Sequence, residues 1–85
     1  MKAVWRYEVP VDDQWHEIPL TGDPRAAAMA SGPNVEFWAE HTDEPELVRR
    51  FRIFGTGHPE PDGAILWAVC PRWSGLVFHL YEGTS

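Results

Sequence analysis

Proline and glycine interrupt this chain about every ten residues, and the stretches between them are rich in Val, Ile, Phe, Trp and Tyr. That spacing leaves no room for long helices and predicts many short strands joined by turns, the pattern of an all-β domain. Residues 3–9 place Ala3, Trp5, Tyr7 and Val9 on one face and Val4, Arg6 and Glu8 on the other. Residues 14–18, 35–41, 47–54 and 76–82 alternate in the same way, and 65–70 form a continuous apolar run of the kind buried on both faces. Sequence-neighbour order predicts a meander of six to seven short antiparallel strands, curled into a small barrel or a two-sheet sandwich with little helix. At 85 residues the chain is one domain.

Three units are expected within it: a hairpin over 35–54, a loop over 55–63 and a C-terminal hairpin over 64–82. In the first hairpin, apolar matching pairs Phe37 with Phe51 and Val35 with Ile53. Its outward face then sets Glu36 beside Arg52 and Trp38 beside Arg50. Residues 25–31 are ambiguous on their own. Asp23 suits a helix N-cap, with Pro24 at the first position and Gly32 past the end, whereas two turns are marginal without support and the neighbours are strand-like.

Thirteen acidic against seven basic residues give a net charge of −6. Such a field repels phosphate backbones and anionic membranes, which argues against double-stranded nucleic acid and membrane partners. No apolar run approaches the ~20 residues of a membrane span, and charges interrupt the N-terminus where a signal peptide is apolar. With the lone Cys70, these features predict a soluble, cytoplasmic protein held by packing alone. The four histidines, His16, His41, His58 and His79, lack ligand spacing, so neither metal nor cofactor is expected.

Three strings carry a resemblance: Trp5-Arg6-Tyr7-Glu8-Val9-Pro10, Arg49-Arg50-Phe51-Arg52-Ile53-Phe54-Gly55-Thr56-Gly57-His58-Pro59, and Leu76 to Glu82. Over nearly its whole length the chain resembles a family of small phage and actinobacterial proteins, domain of unknown function 7352. The family's signature reads R-R-F-R-[IV]-[FY]-G-T-G-H-P. The resemblance implies no activity. It implies a cytoplasmic setting and a phage or prophage origin. Relatives carry a β-branched segment where this chain has Arg25 to Ser31, which tips that segment towards strand, although alanines stand there in this chain.

Two surfaces are candidates for function. Five tryptophans are more than so small a domain can bury. Trp5 and Trp67 fit core positions, while Trp15, Trp38 and Trp73 fall near charges or in a turn. Trp38, Arg50, Arg52 and Trp73 have the composition of a protein-contact hot spot. This predicts a binding module rather than an enzyme, taking a host protein or, through an edge strand, a second copy of itself. The alternative is a small-molecule, nucleotide or anion site at Thr56, Gly57 and His58, where two glycines free the backbone beside a hydroxyl and an imidazole. The same glycines also suit simple turn dihedrals. A third reading, single-stranded nucleic acid on the Arg49, Arg50 and Arg52 cluster, is opposed by Glu36 and Glu40, which an ion-pair ladder on the expected hairpin would set against the arginines.

Overall fold

The computed structural model describes residues 2–30, 34–57, 62–71 and 77–83. They form seven strands: β1 (Ala3–Pro10), β2 (His16–Leu20), β3 (Pro24–Met29), β4 (Asn34–His41), β5 (Leu47–Gly55), β6 (Ile65–Pro71) and β7 (Val77–Gly83). No helix occurs among the described residues. One sheet has the order β1-β4-β3 and the other β2-β5-β7-β6, with every pairing antiparallel. The alternating strands each put one apolar row inward. Val9, Leu20, Val35, Phe37, Ala39, Phe51, Ile53, Cys70 and Leu80 meet between the sheets as a two-layer sandwich core. The ambiguous segment is a strand: Ala26, Ala27, Ala28 and Met29 pair with Trp38, Phe37, Glu36 and Val35 of β4. Neighbouring strands thus override the local helix preference of the alanines.

The connections differ from a meander, and the expected hairpin over 35–54 is absent. β4 belongs to the first sheet and β5 to the second, so the polar segment 42–46 crosses between sheets. Phe37 and Phe51 do meet, with ring centroids 5.2 Å apart and planes tilted by 40°, but from opposite sheets across the core. Alternation fixes which side of a strand is apolar. It does not fix whether two apolar rows lie side by side or stack across the core, because both arrangements hide the same side chains. A turn from elsewhere in the chain occupies the end of β4. The Thr21 hydroxyl donates to the Glu40 carbonyl at 3.2 Å and accepts from the Thr42 N–H at 2.9 Å. A Cβ on Gly22 would lie 2.6 Å from that same carbonyl oxygen, so the close approach requires glycine.

The crossing separates the side chains that the hairpin would have paired. Glu36 bonds Arg6 of β1 at 3.0 Å, and Glu40 bonds Arg25 of β3 at 3.1 Å. Arg52 instead approaches Asp13 at 4.0 Å, and the Arg50 guanidinium sits 5.0 Å from the centre of the Trp15 ring. Trp5 is also not a core residue. It is 48% exposed and stacked on His41 at 3.5 Å, because it lies in the exposed first half of β1. Trp67 is half-buried and packs against the core. It stands at a register shift between Leu66 and Ala68, and its indole N–H donates to Glu82 at 2.8 Å.

Candidate functional site on the outer face of the larger sheet

β5 is central in its sheet, so its outward residues have neighbours on both sides. Antiparallel register places partners on one face, and two outward rows follow: Glu17, Arg50 and Gly83, then Arg52, Tyr81 and Leu66. A third row holds Phe54, His79 and Val69. Trp15, immediately before β2, lays its indole across this face over Gly83, where a Cβ would come within 3.0 Å of the ring. A side chain at position 83 would lift the indole off the sheet.

The result is an aromatic floor under two cations. Trp15 meets Phe54 edge-on at 6.2 Å, and Phe54 meets Tyr81 at 5.4 Å with the rings at 83°. Arg52 lies 4.7 Å from the Phe54 centroid and 6.0 Å from that of Trp15. Guanidinium groups are attracted to aromatic faces, which favours keeping both arginines over the rings. Around this floor Leu66 is 45% exposed, Val69 49% and Val48 64%. Single exposed aliphatics are ordinary, but here three stand on the one sheet face that carries the two arginines, on either side of them. Arg50 and Arg52 are set against Glu17, opposite Arg50, and Asp13, 4.0 Å from Arg52, so this face is close to neutral within a chain of net charge −6.

On the inner side of the same sheet, Arg49 forms a separate polar cluster. Its guanidinium donates to both Glu82 oxygens at 2.8 and 2.7 Å, reaches Asp23 at 2.9 Å and donates to the Gly22 carbonyl at 3.3 Å. Hydrogen bonding from Arg49 holds the Glu82 carboxyl below the usual carboxylate range, opposed by partial burial and aided by the Trp67 N–H. Arg49 is raised in turn, first by its bond to Glu82. These groups satisfy one another and tie β5 to β7 and to the turn after β2.

Of the four residues expected in one hot spot, the structure brings together Arg50 and Arg52. Trp38 lies on the outer face of the other sheet, opposite Arg6 and Ala26, across the sandwich from the arginines. Trp73 lies outside the described residues, as does His58 of the alternative loop site. Thr56 is fastened to β7: its N–H and hydroxyl both donate to the Val77 carbonyl, at 3.1 and 3.2 Å, and the hydroxyl is 3.0 Å from His79 Nε2. Gly57 has φ of 95°, the left-handed region that favours glycine. Phe54, Leu66 and Val69 were not among the expected site residues, nor was Tyr81, which is buried beneath the Phe54 ring. The alternation 50, 52, 54 in β5 carried the signal for Phe54, whereas the others join only through the β5-β7-β6 register. No group of three or more His, Cys, Asp or Glu arranged for a metal is found among the described residues. No helix long and apolar enough to cross a membrane is found among the described residues.

Fold and surface together define a small antiparallel β-sandwich with an arginine-capped aromatic face. The chain belongs to the family described as domain of unknown function DUF7352, whose profile matches residues 1–85. No curated protein and no solved structure matches it.

Proposed function

We propose that this chain is a small protein-interaction module and that its contact surface is the outer face of the larger sheet, centred on Arg50, Arg52, Trp15 and Phe54. The observation that carries this reading is the exposure of Leu66, Val69 and Val48 on the same face as two arginines stacked on aromatic rings. Rigid aromatic and arginine groups with an aliphatic surround are the composition of binding hot spots, since they contribute contact area with little side-chain entropy left to lose. The complementary partner is a protein surface bearing carboxylates beside apolar side chains. In a cytoplasmic, phage-derived setting the partner is a host protein.

The test is affinity purification from the native host with the wild type, Arg50→Glu/Arg52→Glu, Leu66→Ser/Val69→Ser and Trp38→Ala, each checked for a cooperative melt. A partner retained by the wild type and by Trp38→Ala, and lost from the first two variants, supports the reading. Loss only in Trp38→Ala would move the contact to the opposite sheet. Stabilisation by a nucleotide or anion that His58→Ala abolishes would favour the loop site instead.

A further inference from the structure

The smaller sheet carries a second feature, independent of the surface above. β1 is its outermost strand and runs eight residues; among the described residues it pairs with β4 alone and its other edge is unpaired. Val4 on one face is 56% exposed and Trp5 on the other is 48% exposed. Long, flat edges of this kind invite a further strand unless their charges oppose it.

The charges on β1 are informative. Glu8 and Glu36 stand directly opposite one another in the β1/β4 register, an arrangement that is unfavourable for like charges. One cation serves both: Arg6 Nη1 is 3.0 Å from Glu36 and 3.9 Å from Glu8. Asn34 supplies a neutral hydrogen bond to Glu8 at 3.0 Å. Two carboxylates thus share one guanidinium at the free edge.

We propose that β1 pairs antiparallel with β1 of a second copy of this chain, about a two-fold axis through Tyr7. A two-fold relating identical antiparallel strands passes through a residue facing its own copy, so the registers can be enumerated. An axis at Arg6 sets Arg6 against Arg6, and one at Glu8 sets Glu8 against Glu8. An axis at Trp5 sets Arg6 against Val4, with no ion pair. The axis at Tyr7 sets Arg6 of each copy opposite Glu8 of the other, twice, and Trp5 opposite Val9. It is the register that brings a second guanidinium to the crowded carboxylates. The axis is perpendicular to the smaller sheet and leaves directions along itself unchanged. Both larger sheets therefore present their outer faces to the same side, and the dimer is a bivalent display of that surface.

The test uses light scattering after size exclusion, over a concentration series, on the full chain. The wild type dimerises with rising concentration. Arg6→Glu and Glu8→Arg are each monomeric, because each opposes like charges across the axis. An equimolar mixture of the two recovers a dimer, because every cross-axis pair is again complementary. Glu8 is 40% exposed, so Glu8→Arg keeps the fold. If circular dichroism shows that Arg6→Glu unfolds early through its contact with Glu36, Arg6→Glu/Glu36→Gln replaces it. A wild type that stays monomeric, single variants that dimerise like the wild type, or a mixture that stays monomeric would each overturn the proposal.

Discussion

Arg49→Met tests the polar cluster that ties β5 to β7. The substitution keeps an unbranched apolar stem beside Phe51 and Trp67 but removes the guanidinium held by both Glu82 oxygens and by Asp23. The Arg49 and Glu82 side chains are only 17% and 14% exposed. Removing one partner of such a pair strands a poorly solvated carboxylate, which costs about 3–5 kcal/mol when burial is complete. Residual water contact and the Trp67 N–H place the expected loss near the lower end, about 3 kcal/mol. For a domain of this size that is a fall in Tm of roughly 12–24 °C, read by circular dichroism or calorimetry. Arg49→Met/Glu82→Gln restores a large part of the loss, since the amide is uncharged and still accepts from Trp67.

The pH dependence has a definite sign. Glu82 is held below its ordinary 4.5 in the folded state. Its contribution is therefore complete above that value and disappears as pH falls through the lowered one. The gap in Tm between wild type and Arg49→Met narrows on acidification, because the wild type loses stability that the variant never had. A gap of equal size at neutral and strongly acidic pH would show that Arg49 acts through ring packing alone. A variant melting within about 2 °C of the wild type would refute the charge argument altogether.

Three further outcomes follow from the strand arrangement. A double-mutant cycle on Glu36→Gln and Arg52→Met gives coupling within about 0.3 kcal/mol of zero, because the two groups lie on opposite sheets, whereas Arg6→Met with Glu36→Gln gives about 0.2–1 kcal/mol. Chemical denaturation of Gly22→Ala shows a loss of about 1–3 kcal/mol, because the new methyl meets the Glu40 backbone oxygen rather than a side chain that can move. Asp12 lies below its ordinary 3.8, chiefly through its hydrogen bond to His16, with the Gln14 N–H assisting. In His16→Phe its carboxyl carbon titrates at higher pH by NMR, and no upward movement would show that the Asp12–His16 contact at 2.8 Å does not persist in solution.

The all-β class was legible because it rests on local rules. Alternation at Val35, Phe37 and Ala39, and again at Phe51 and Ile53, can be satisfied only by strands with one apolar side, and Pro10, Pro19 and Gly55 interrupt the runs near where strands end. The candidate surface was legible in part. Arg50 and Arg52 share a face by parity, so adjacency in the chain carries over to the fold. Trp38 was drawn into the same group through the expected hairpin, and separates from it because segment 42–46 spans the two sheets.

Residue order alone thus determined which side chains of β4 and β5 point inward, that Arg50, Arg52 and Phe54 point outward together, and that the backbone is extended almost throughout; it did not show that the apolar run 65–70 leaves Ile65, Leu66 and Val69 exposed. Tertiary structure decided which strands lie beside one another, that Trp5 is exposed while Trp67 is half-buried, and that Glu82 rather than Glu36 or Glu40 neutralises Arg49. The physical reason is that hydrophobic burial rewards hiding a surface without specifying the neighbour that hides it. Choice of neighbour comes from close contacts between distant segments, here Thr21 and Gly22 against Glu40, and Trp15 over Gly83.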